Sequence, residues 1–408
     1  MNNILQESSR RKFIIKASVA GAAILLNPLI SLSFRKEDSV SKIVAETMGI
    51  DTHNHIDVPL NKGDFPGPNI DLIGEMKKSG LSAICMTFAV DYQKLTKEDE
   101  AYERFINGLD AMDEVLKNNK INRSLNLADL NTAYKNKEAT VIQSVEGGHF
   151  LEGKIERLEN AYNRGLRHLG LLHDNDASVP LGDIYTNPAK YGGLTAFGRD
   201  VIKECNRLGI LVDLTHCSND TINAALKLST KPVIISHTGL DTQLGQNANM
   251  AKMMRPRLIS KEQAKIVADA GGIIGVWTHL SDSPLEYAKN IRAIVDVVGI
   301  EHVCIGTDTK MTPSFRPSNN SNTQHRQDNG NKNEPPHNNE KDKNEQSGDR
   351  NSVRIGERTN GAWAEQKEGF YYTVVDALIK TGFNKEEIGK IGGGNFCRVF
   401  DAATAGRN

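Results

Sequence analysis

Residues 192–218 read GGLTAFGRDVIKECNRLGILVDLTHCS. Leu194, Phe197, Val201, Cys205 and Leu208 recur at intervals of three and four, so they share one face of a helix predicted over 194–208. Gly209 supplies its stop. After Ile210, LVDLTH (211–216) forms a short apolar strand candidate ending in His216. A helix, a glycine stop and an apolar strand with a polar residue at its end make one unit of an alternating α/β chain.

Working outward from that unit, seven more such strands emerge: GIDTHNHI (49–56), LSAICMTFA (81–89), ATVIQSVEG (139–147), HLGLLH (168–173), PVIISH (232–237), GGIIGVW (271–277) and HVCIGTD (302–308). Amphipathic stretches separate them. Near-continuous apolar strands are those buried on both faces of a parallel sheet. Eight of them with intervening helices predict a (β/α)8 barrel, with a doubly wound sheet as the alternative. The strands end in chemistry: His53 and His55 on strand one, Glu146 on strand three, His173 on four, His216 on five, His237 on six and Asp308 on eight. Residues i and i+2 of a strand face the same way, so His53 and His55 project together. Active sites of such barrels lie at the C-terminal ends of the strands. A single histidine at a strand end is ordinary capping; six strands delivering ligand-type side chains to one rim is not.

Composition narrows the partners. The 408 residues carry a formal net charge of -1, which argues against a surface built to neutralise nucleic-acid phosphates. The five cysteines (Cys85, Cys205, Cys217, Cys304, Cys397) are scattered, without paired spacing, and predict no disulfide framework. At the N-terminus, Ser9-Arg10-Arg11-Lys12-Phe13 precedes an apolar run from Ala17 to Leu32 that Asn27 and Pro28 interrupt. That pattern predicts a twin-arginine-type signal peptide over 1–33, periplasmic or exported location and a partner in the export machinery, with an uncleaved membrane anchor as the alternative. The remainder, 34–408, reads as one barrel domain. Within it, residues 317–352 hold no aliphatic or aromatic side chain beyond their polar run, and predict a disordered insertion after strand eight. A solvated loop is the simpler reading of it, a mobile lid the other.

Imidazoles with a carboxylate suit zinc and related ions. Four histidines (His53, His55, His216, His237) and Glu146 predict a site for two divalent ions, zinc first among the candidates, with Glu146 offering an oxygen to each. Asp308 is left as a proton carrier, and His173 as a donor to a developing oxyanion.

These residues resemble the membrane (renal-type) dipeptidases, peptidase family M19, among the amidohydrolase-like metal-dependent hydrolases. The resemblance runs from about Gly49 to Phe400. It is carried by residues 192–218 with PVIISHTG after them, SVEGGH around Glu146, HVCIGTD around Asp308 and GGNFCRVF near the C-terminus. It implies dipeptide hydrolysis by a metal-activated hydroxide, with His53, Glu146, His216 and His237 as ligands and Glu146 bridging. His173 would contact the substrate or transition state, and Asp308 would move the proton. Arg257, in RPRLISKEQ, would bind the substrate's terminal carboxylate as a bidentate partner. A homodimer is compatible with it. Two departures stand out: His53-Asn54-His55 replaces the family's H-x-D, and Lys310 replaces the second acid of a D-x-D-G pattern. The rival readings are a one-metal amidohydrolase or deaminase, which would explain H-x-H, and a binding protein that has lost turnover. His149 is expected beside the site at most. His168, His279 and His302 are assigned to packing, and His325 and His337, in the insertion, receive no role.

Overall fold

All eight candidates form strands: β1 Ile50–His55, β2 Ala83–Thr87, β3 Thr140–Val145, β4 Leu166–Gly170, β5 Leu211–Asp213, β6 Ile234–Thr238, β7 Ile273–Val276 and β8 Val303–Ile305. The computed structural model describes residues 39–92, 94–186, 188–315 and 356–405. Consecutive strands pair in parallel from β1 to β8. β8 is interrupted by Gly306-Thr307-Asp308, and its continuation, Thr309–Lys310, pairs with Asn54 and His55 of β1. The amide of Asp308 donates to the His53 carbonyl at 3.1 Å and that of Met311 to His55 at 3.3 Å. The last strand thus meets the first, and the parallel sheet curls into a (β/α)8 barrel.

The strands are buried along their whole lengths, which is why they read as unbroken apolar runs. Inside the barrel space is short. A Cβ on Gly275 or Gly306 would stand 1.9 or 1.8 Å from the Ser236 carbonyl oxygen, so only glycine lets β7 and β8 approach β6 here. The residues that open β1, β2, β5, β6 and β7 (Ile50, Ala83, Leu211, Ile234, Ile273) cluster with Phe396, Val399, Phe400 and Ala403. These four lie on the helix Asn395–Thr404, which closes the N-terminal end of the barrel. The opposite end stays open to a site.

The helix predicted over 194–208 begins two residues later, at Ala196, because the Thr195 hydroxyl accepts from the Gly198 amide and caps it. Gly209 ends it in the left-handed region, at φ 85°. All five cysteines are free thiols. No helix among the described residues is long and apolar enough to cross a membrane. The predicted signal peptide (1–33) and the predicted insertion (317–352) lie outside the described residues.

Candidate active site

Six side chains predicted from strand ends meet around Glu146. Its Oε1 lies 2.8 Å from His216 Nε2, 3.5 Å from His53 Nε2 and 3.7 Å from His237 Nε2. Its Oε2 lies 3.3 Å from His173 Nε2 and 3.7 Å from His55 Nε2. Asp308 closes the group, with Oδ1 3.1 Å from His55 Nε2. Three overlapping sets, His53/Glu146/His237, His53/His55/Asp308 and Glu146/His173/His216, are each close enough to share an ion.

The backs of the five rings are as ordered as the fronts. His53 Nδ1 and His237 Nδ1 both face Ser236 Oγ, at 3.3 and 3.1 Å. His173 Nδ1 lies 2.6 Å from Asp91 Oδ1, His216 Nδ1 3.3 Å from Asp174 Oδ1, and His55 Nδ1 3.0 Å from Tyr92 Oη. Every Nδ1 thus has an oxygen behind it, and every Nε2 turns to the centre. In a neutral ring an outward N–H of this kind fixes the tautomer that leaves Nε2 free to ligate; in a ring whose basicity is raised, as in His173, it leaves Nε2 able to keep a proton as well. Ser236 is itself held: its amide donates to Asp213 Oδ1 at 3.0 Å, and Thr215 Oγ1 bridges the two.

Three features match this centre to divalent cations. His53 and His55 oppose their Nε2 atoms at 3.2 Å, as do His216 and His237. Two imidazole lone pairs that close repel unless positive charge lies beside them. Glu146 Oε2 is buried without a hydrogen bond. The donor set, imidazole with carboxylate, is that of zinc-type ions.

Electrostatics agree. Burial would raise the Glu146 carboxyl, but His173, His53 and His216 outweigh it and hold it well below the usual range. Burial, reinforced by His237, pushes His53 well below the ordinary imidazole value. Burial likewise takes His237 down to about 4. Both are neutral at pH 7. For His216 burial is overcome by Asp174 and Glu146, and it rises to about 10. His173, despite burial, is raised by Glu146 and Asp91.

Two of these residues sit on strained backbone. His216 (φ 66°) and Asp308 (φ 55°) occupy the left-handed region without being glycine or asparagine. That costs about 1–3 kcal/mol each and recurs at functional sites.

Arg257, in the turn Arg255–Arg257 after β6, lines the same open cavity of about 1260 Å³ as Glu146, His173 and Asp308. Its Nη2 donates to Asp174 Oδ2 at 3.0 Å, and its guanidinium lies 5.1 Å from the Tyr185 ring centre. Lys310 faces the cavity too, with Nζ donating to Asp57 Oδ2 at 2.7 Å.

Sequence reasoning missed Asp91, Tyr92, Asp174 and His279. His279, assigned to packing, sits two residues past Trp277 and places Nε2 2.8 Å from Asp308 Oδ2. Its signal was the same one used elsewhere, an apolar strand followed by histidine. Asp174 had only its adjacency to His173, and Asp91 and Tyr92 had none. His149 lies beside the site, its Nε2 2.9 Å from the Asn175 carbonyl. His168 is buried against Asp213, and His302 caps the Gly272 carbonyl.

Residues 37–320 match the sequence pattern of the membrane dipeptidase family, peptidase family M19. The chain belongs to this family. Its fold is shared with an amidohydrolase from Pseudomonas aeruginosa (20% identity, TM-score 0.65, covering 90% of this chain and 99% of that one). It is shared also with the probable dipeptidase PvdM from Pseudomonas aeruginosa (15% identity, TM-score 0.65, 91% and 98% covered). A third is a metallo peptidase from Rhodobacter sphaeroides, liganded with a phosphinate mimic of the dipeptide L-Ala-D-Ala (15% identity, TM-score 0.60, 88% and 99% covered). Membership in M19 makes this chain a hydrolase of the metal-dependent dipeptidase or amidohydrolase kind, and its His/Glu/Asp clusters are the candidate metal sites.

Proposed function

We propose that this M19 hydrolase cleaves the peptide bond of dipeptides at a two-metal centre, most readily loaded with zinc. The observation that carries the reading is the convergence of five Nε2 atoms on Glu146, each ring backed at Nδ1 by an oxygen. His53 and His55 would hold one ion, His216 and His237 the other, and Glu146 would give an oxygen to each. When bound, the pair supplies a hydroxide at neutral pH and polarises the scissile carbonyl.

The chain's own residues do the rest. Arg257 takes the substrate's terminal carboxylate at the cavity wall, which orients the peptide bond toward Glu146. His173, held by Asp91 and raised in pKa, keeps a proton at Nε2 and donates it as a hydrogen bond to the oxygen that becomes negative. Asp308 Oδ1 receives a proton at the centre and delivers it to the leaving amine. Residues 1–33 act as a twin-arginine-type export signal, a reading supported by Arg10-Arg11 ahead of the apolar run.

A one-metal amidohydrolase is the second reading, favoured by the 3.1 Å approach of His55 to Asp308, which would make them a catalytic pair. Metal analysis of purified protein with a dipeptide panel, each member tested free and C-terminally amidated, separates the two. The proposal expects two ions per chain and hydrolysis confined to free dipeptides. One ion per chain, or amides cleaved as fast as acids, would overturn it.

A further inference from the structure

The family's aspartate at position 55 would present an oxygen to metal and need no partner behind it. The imidazole of His55 differs. With Nε2 turned to the centre, its Nδ1 carries the proton, and an unbonded N–H in a closed site costs free energy. Among the five rings, His53 and His237 use Ser236 from the barrel interior, His173 uses the buried Asp91, and His216 Nδ1 lies 3.3 Å from the half-buried Asp174. His55 reaches instead to Tyr92, on the segment that follows β2.

Tyr92 is an unusual residue to find there. More than half of its surface, 57%, is exposed, yet its hydroxyl turns inward to within 3.0 Å of His55 Nδ1. Its ring stands edge-on to His173, with centroids 5.8 Å apart. Burial of the hydroxyl end, and the carboxylates of Glu146, Asp57, Asp308 and Asp91 around it, keep the phenol protonated well above the usual tyrosine range. A neutral phenol oxygen accepts from Nδ1–H and still has its own hydrogen to offer the cavity it lines.

We infer that Tyr92 is the positioning residue for His55: it accepts the Nδ1–H of an imidazole standing where the family has aspartate, and so fixes the tautomer and angle at which Nε2 holds an ion. The inference rests on the reading of His55 as a ligand. It makes the two positions a matched pair, with Tyr92 needed only because residue 55 is histidine.

The test is metal affinity, read by chelator competition with Zn2+ on the full chain, in a double-mutant cycle. Tyr92→Phe keeps the ring and removes the acceptor. In the parent it weakens one of the two ions by about 10- to 100-fold, as loss of a ligand's hydrogen-bond partner does. In a His55→Asp background, where no Nδ1–H exists, the same change alters affinity less than twofold. Melting temperatures of the four proteins establish that all are folded. Equal affinity in parent and Tyr92→Phe overturns the inference, as does an equal loss in both backgrounds. A parent that binds one ion, undiminished in His55→Ala, removes His55 from the ligands and overturns the two-metal reading with it. Two ions without dipeptide hydrolysis would overturn the proposed reaction while the affinity cycle still supports the pairing.

Discussion

Asp308 turns Oδ1 to the centre, 3.1 Å from His55 Nε2, and is held behind by His279, whose Nε2 lies 2.8 Å from Oδ2. In the proposed reaction Asp308 accepts and returns a proton along one direction, and a fixed second oxygen favours that role. The Thr278 amide and hydroxyl both donate to the Thr307 carbonyl, so His279 and Asp308 sit on neighbouring, tied strand ends. Hydrogen bonds to charged groups contribute about 1.5–3 kcal/mol, so His279→Ala should lower kcat by roughly 10- to 150-fold with KM changed little. Steady-state kinetics on the best dipeptide checks this, and an unchanged kcat would return His279 to packing. A second residue-scale consequence concerns His216. Its imidazole, raised to about 10 by Asp174 and Glu146, holds a proton in metal-free protein at neutral pH. An ion taking its Nε2 displaces that proton, so binding weakens as pH falls. Apparent zinc affinity should rise on the order of tenfold per pH unit from 7 to 9. Isothermal titration at several pH values reads it, and a flat profile would take His216 out of the ligand set.

At the scale of elements, the two stretches flanking the polar run are already joined. The Lys310 amide donates to the Glu357 carbonyl at 3.0 Å, and Arg358 Nη2 donates to the Met311 carbonyl at 2.8 Å. The chain therefore leaves and re-enters the barrel at one point. Loop-closure entropy changes slowly with length. Replacing 317–352 by a short Gly/Ser bridge should leave the melting temperature within a few degrees, about 1 kcal/mol. A large fall would show that the run contributes packing. Lost turnover at unchanged stability would support a lid. The helix Asn395–Thr404 is the opposite case. Phe400 is fully buried against the openings of the strands. Phe400→Ala should cost about 3–5 kcal/mol, seen as a lowered denaturation midpoint, with residual activity proportional to folded protein because the site is at the far end.

For the whole molecule, the barrel divides its labour by end. The N-terminal openings of the strands are apolar and plugged by the last helix, while the C-terminal ends carry the residues of the candidate metal clusters. The division is legible in six of the eight strands, whose apolar runs lead into His53 and His55, Glu146, His173, His216, His237 and Asp308. Closure was less legible. β8 must turn at Gly306-Thr307-Asp308 to reach β1, and that break puts Asp308 in the left-handed region from which it faces His55.

By itself, the sequence determined what depends on local order. Apolar runs of strand length, helical periodicity and glycine stops specify parallel β/α units, because each pattern must bury its own face. The residue at each strand end inherits its place from that rule, so His53, His55, Glu146, His173, His216, His237 and Asp308 could be chosen before any contact was known. Tertiary structure alone decided their partners. Ser236 lies 183 positions from His53, Asp91 lies 82 from His173, and His279 lies 29 from Asp308. A hydrogen bond between such residues depends on loop paths and ring orientation, which leave no periodic trace in the chain. The residues that back the candidate ligands were therefore invisible where the candidates were not.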